Sequence, residues 1–150
     1  MLQSLIAITA IALHLASLLL LIHHIRTAFP APAPAILRHL SLLSLIALSA
    51  FLQVNLFKDQ ILHLNFYTAS PLICFVMGAV LLASLYKRQP IETLLVAAYP
   101  LSIASIACAA WIPASSTKVI TDPALTSHIV LSIIAYSLIS IAALQALLLS

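Results

Sequence analysis

Apolar residues fill this chain in stretches of about 20, the length a helix needs to cross a bilayer, and its polar positions gather between the stretches. One charge-free stretch alone runs from Thr93 to Thr117. A helix of that length covers a hydrocarbon core of about 30 Å and satisfies its own backbone hydrogen bonds where water is absent. Five spans are predicted, at about residues 2–22, 36–57, 66–86, 91–112 and 126–150. The expected fold class is all-α, a polytopic membrane helix bundle of five transmembrane helices in one integral membrane domain. The lipid bilayer is its first partner.

The junctions sharpen this picture. The first span ends at His23, His24 and Arg26, so its positive charge follows the apolar run, the reverse of a secretory signal. Alternating prolines at Pro30, Pro32 and Pro34 suit an extended connector. Lys58 and Asp59 close the second span, His63 falls in the short loop after it, and Lys87-Arg88 stops the third. Pro71 sits in the first turns of the third span, where a missing N–H matters least. Pro100 sits near the centre of the fourth and predicts a kink. Trp111 anchors the outer end of that span at the interface. The loop from Pro113 to Pro123 leads to a fifth span that is still apolar at Ser150, a pattern that suits a chain cut off from a longer protein and a short gene product alike.

Composition excludes several function classes. With 64% hydrophobic residues and a single Gly, the chain is not a soluble domain, a disordered segment or a disulfide scaffold. It also lacks a phosphate-cradling loop. The formal charge of +3 is too small and dispersed to bind nucleic acid. Cys74 and Cys108 lie in separate apolar runs and are expected to be buried, unpaired thiols. Glu92 and Asp122 stand at span ends, so no catalytic carboxylate pair forms and no enzyme is expected. Arg26, Arg38, Lys87 and Arg88 share one side, against Lys58 and Lys118 on the other. That bias puts the first set in the cytoplasm and the amino terminus outside a bacterial inner membrane.

Candidate chemistry is mostly histidine. In the fifth span His128, Ser132, Tyr136 and Ser140 recur every four residues and wind along one side of the helix. They make either a helix–helix seam with an interfacial His or, through His128, an axial ligand for heme or a metal. Ser132, Ala135 and Ala142 give a small face against which another span can close. His14 falls near the midplane of the first span, either as a neutral side chain bonded to another span or as a ligand or proton relay. His23, His24 and His39 cluster with Arg26 and Arg38, where snorkelling to headgroups is the simpler role. A short outer loop brings His63 towards His128 as a weaker candidate ligand.

Three segments carry a family resemblance: Tyr99-Pro100-Leu101-Ser102-Ile103, Trp111-Ile112-Pro113, and the helix from His128 through Ala135-Tyr136 to Gln145. They resemble the amino-terminal half of the cytochrome c assembly family, above all its YpjD-like inner-membrane proteins, over about residues 66–150. The resemblance implies a component of cytochrome c biogenesis that binds or handles heme at the outer face, with His128 as one axial ligand. It further implies other cytochrome c maturation membrane proteins as partners. Two other classes stay open: a regulatory or scaffolding membrane protein without heme, for example acting on heme synthesis, and a small-solute transporter.

Overall fold

Where no water can receive a backbone hydrogen bond, an apolar run closes into a helix. The computed structural model, which describes residues 1–28, 34–58, 61–87, 92–112, 118–120 and 122–149, contains five helices. They are α1 (Leu2–Ala28), α2 (Ala35–Leu56), α3 (Phe66–Tyr86), α4 (Glu92–Trp111) and α5 (Pro123–Leu149). All five are long and apolar enough to cross a membrane. α2, α3 and α4 keep the expected bounds to within one residue, because a charge or a cap closes them. At α3, Asn65 Oδ1 accepts from the Thr68 N–H at 2.9 Å while Thr68 Oγ1 accepts from the Asn65 N–H at 3.0 Å, a reciprocal cap.

Two helices depart from expectation. α1 runs six residues past Ile22, through His23, His24 and Arg26, so its last turns carry the polar and charged residues that follow the apolar run. α5 begins at Pro123, three residues before Thr126, because Asp122 Oδ1 caps the Ala124 N–H at 3.0 Å and proline suits the first helical position. α4 continues through Pro100, which therefore does not end the span.

The connections at one end, read as loops of an all-α chain, are partly strands. β1 (Phe57–Lys58), β2 (Ile61–Leu64) and β3 (Lys118–Ile120) pair antiparallel in that order, with Leu62 opposite both Phe57 and Ile120. Backbone groups outside the helices thus bond to one another. This sheet end carries the α2–α3 and α4–α5 connections, whereas the opposite, basic end carries His23, His24, Arg26, Arg38, His39 and Lys87. There Arg38 lies over the Tyr86 ring, 5.7 Å from its centroid.

α1 to α4 form a ring in which α1 packs on α2 and α4, and α3 packs on the same two. The α2 side chains Leu48, Phe51, Leu52 and Leu56 bury against Ala7 and Ala10 of α1 and Ile106 of α4 towards the sheet end. A leucine-rich cluster built on Leu21, Leu37, Leu81, Leu85 and Leu94 fills the basic end. α5 leans chiefly on α3 from outside the ring, and only 17% of its span is buried, against 28–39% for the others.

Candidate functional site

Between the two apolar clusters lies a polar centre. His14 of α1, 3% exposed, meets the Tyr99 ring of α4 edge to face, with centroids 5.9 Å apart. Its Nδ1 lies 2.8 Å from the Ala10 carbonyl of its own helix. A carbonyl only accepts, so Nδ1 carries the hydrogen and Nε2 carries the lone pair. His14 is thus central, as expected, but its hydrogen bond stays within α1 and its contact with another span is a ring contact. The reason is geometric: the carbonyl one turn earlier is within reach of any helix side chain that folds back, before a neighbour is needed.

The Tyr99 hydroxyl provides the link between helices. Ser41 Oγ of α2 donates to the Leu37 carbonyl at 2.7 Å, which uses its single hydrogen, so Tyr99 O–H donates to Ser41 Oγ at 2.6 Å. Ser44, Ser102 and Ser105 donate to the carbonyls of Ser41, Ala98 and Ser102 at 2.8, 3.0 and 2.9 Å. Ser105 Oγ also lies 3.5 Å from Cys74 Sγ on α3. A cavity of about 20 Å³ lies among these groups, with His14, Ser41, Ser44, Cys74, Tyr99 and Ser102 in its wall. Gly78 on α3 shares the wall, and a Cβ there would come 3.2 Å from Leu45 Cδ1, so the glycine lets α2 approach α3. At 1.5 Å per residue, the polar members lie within about 7 Å of their helix midpoints.

Polar residues at three-residue spacing, Ser41 and Ser44 on α2 and Tyr99, Ser102 and Ser105 on α4, are the signal for this centre. Attention to the four-residue row of the fifth span passes over it. Tyr99→Phe should destabilise the bundle by about 1 kcal/mol. A double-mutant cycle with Ser41→Ala, read by unfolding in mixed micelles, should return a coupling of about 0.6 kcal/mol and not above roughly 1.7. Additive effects would deny the bond.

The fifth-span row turns out not to be a seam. His128 is exposed and Tyr136 is 60% exposed, while Ser132 and Ser140 bond back to the carbonyls of His128 and Tyr136 at 2.8 Å. The buried side of α5 is Ile133 and Ser137, with Ile141 and Leu144 packed on the leucine-rich cluster. The Ser137 hydroxyl is shared between the Ile133 carbonyl at 2.7 Å and the Ile73 carbonyl of α3 at 3.2 Å. Ala135 and Ala142 are exposed on the opposite side, so no span of this chain closes against that small face among the described residues.

The Ser137–Ile73 contact also sets the height of His128. Ser137 is fourteen residues into α5 and Ile73 seven into α3, so α5 starts about 10 Å beyond α3, and His128 stands about 3 Å beyond the first residue of α3. His63 lies in β2, opposite Val119 in register; its side chain is outside the described residues. His23 and His39 are exposed at the basic end, and His24 is buried there. Both cysteines are free, but only Cys74 is buried; Cys108 is half-buried because it borders an open groove of about 180 Å³ between α3 and α4. Glu92 is at a span end as expected, yet buried, in the first turn of α4 where the helix dipole favours a carboxylate.

For heme, the donor set fits half a site. His128 offers one accessible imidazole, whereas no group of three or more His, Cys, Asp or Glu gathers among the described residues. Comparison with family models, with curated proteins and with solved structures finds no match to this chain.

Proposed function

We propose that this multi-pass membrane protein is a component of cytochrome c assembly that handles heme at its sheet end, with His128 as its single axial ligand. One observation carries the reading: His128 stands exposed near the sheet-end start of the least buried helix of the bundle, where a planar ring can reach its imidazole from the side. The family-like helix that begins there adds to it. Heme, when bound, would bring iron that accepts the imidazole nitrogen; α5 would hold the ligand upright, and the uncovered face carrying Ala135 and Ala142 would receive the element that completes the site. The chain passes heme on without bond chemistry of its own. One ligand on an open face binds weakly, so the second comes from a partner subunit or from a longer chain.

The positive bias puts the sheet end outside a bacterial inner membrane, with the amino terminus on the same side. In a background lacking Cys74 and Cys108, an impermeant maleimide should label Asp122→Cys in intact cells and spare Lys87→Cys until the membrane is opened. The reverse pattern would invert the orientation. Heme handling itself is tested by titrating hemin into the full chain in lipid nanodiscs. The expected result is a weak Soret change that saturates at one heme per chain, and a change no different from empty nanodiscs would remove the proposal.

A second reading is favoured by the same open helix. A scaffolding or regulatory membrane protein would use the small face of α5 to dock another span, without heme. A photo-crosslinker at Ala135 that captures one membrane partner, in a chain showing no Soret change, would select it.

A further inference from the structure

The hydroxyl and imidazole hydrogens around the central cavity are already committed. Ser41, Ser44, Ser102 and Ser105 donate to carbonyls of their own helices, Tyr99 donates to Ser41, and His14 Nδ1 donates to Ala10. What remains around the cavity is lone pairs on the seryl oxygens and His14 Nε2, with the Cys74 S–H as a weak donor. No described residue donates to Nε2, and no fully enclosed side-chain nitrogen or oxygen of the described residues lacks a partner. Nε2 is therefore not sealed off, and the space we assign to it is the cavity that His14 lines. At about 20 Å³ it holds one water-sized molecule, since roughly 10–15 Å³ is enough for one. The occupant must supply hydrogens. It must also be neutral, because the wall contains no carboxylate and an uncompensated cation in the middle of a membrane is far too costly.

A route to this cavity opens on one side. The groove of about 180 Å³ between α3 and α4, lined by Tyr67, Ser70, Leu101, Ala104, Ser105 and Cys108, lies in the half of the bundle nearer the sheet. Ser105 belongs to the groove wall and Cys74 to the cavity wall, and their contact at 3.5 Å is the partition between the two spaces. Rotation of this hydroxyl and thiol away from each other would open a polar neck between them. Towards the basic end the leucine-rich cluster packs beside this centre, and Ser17 of α1, fully buried, donates to the Leu13 carbonyl at 2.8 Å.

We propose that the groove, the Ser105–Cys74 neck and the central cavity form a path by which a single small neutral hydrogen-bond donor, water or ammonia, reaches His14 Nε2. The proposal is independent of heme handling. The full chain, labelled with ¹⁵N-histidine in lipid nanodiscs, is the test, with the His14 signals assigned by their loss in His14→Asn. The expected result is magnetisation transfer from water to the His14 ring and its loss in Ser105→Leu, whose larger side chain fills the neck. Cys108→Phe, which blocks the groove from a half-buried position, gives the same loss if Ser105→Leu does not fold. Ammonium chloride titrated at constant pH against sodium chloride separates the two sources: a saturable His14 shift with ammonium alone assigns ammonia, and no shift assigns water. A wild-type His14 ring that shows neither water transfer nor an ammonium response would mean a dry cavity and overturn the proposal. Transfer that survives in both blocked variants would overturn the path.

Discussion

Phe51→Ala lowers the stability of the bundle by about 2 kcal/mol, the largest effect expected of any single truncation in α2. Phe51 is fully buried where α1, α2 and α4 meet, against Ala7, Ala10 and Ile106. In water such a change costs roughly 3–5 kcal/mol, part of it from the lost transfer of apolar surface. A displaced membrane helix stays in lipid, so that part falls away and packing remains. A cavity of roughly 100 Å³ at about 24 cal/mol per Å³ leaves the 2 kcal/mol. Tyr136, 60% exposed on α5, provides the contrast, and Tyr136→Ala should stay within about 0.5 kcal/mol. Reversible unfolding in mixed micelles reads both. Equal losses at the two positions would mean that α5 is buried and that the ring of α1 to α4 is not the core.

The spans were legible because the bilayer sets a length and charges mark its edges, which is why α3 and α4 end beside Lys87 and at Trp111. The ends of α1 and α5 were less so. Histidines do not stop a helix, and the Asp122-Pro123 pair that starts α5 is a cap signal set in a stretch that otherwise reads as loop. The short strands were hidden for another reason: Ile61–Leu64 is as apolar as a span end, and pairing with Lys118–Ile120 depends on a segment more than fifty residues away.

Helix rotation was the part the pattern did not carry. In water the polar side of a helix faces out, so a periodic polar row locates the surface. In lipid both sides are apolar, and a row such as His128, Ser132, Tyr136 and Ser140 suits an inner seam and an outer face equally. The fold puts it outward and sets Ile133 and Ser137 against α3. His14 was visible as a lone polar residue at mid-span, but its neighbours Tyr99 and Ser41 belong to other helices, and nothing along one chain ranks which turns will meet.

The two histidines therefore have different settings. His14 closes on a water-sized cavity inside the ring, and His128 stands open beside it on α5. On the proposed reading His128 is the single exposed axial ligand, which makes the second large expectation all-or-none: without its imidazole the described part of α5 offers iron no other nitrogen ligand. The direct measurement is the Soret difference spectrum of hemin with the full chain in nanodiscs, taken for the wild type, His128→Ala and a His23→Ala/His39→Ala control, with folding checked by circular dichroism. The account predicts a Soret change in the wild type and the control that is lost in His128→Ala. An unchanged spectrum in His128→Ala would contradict it.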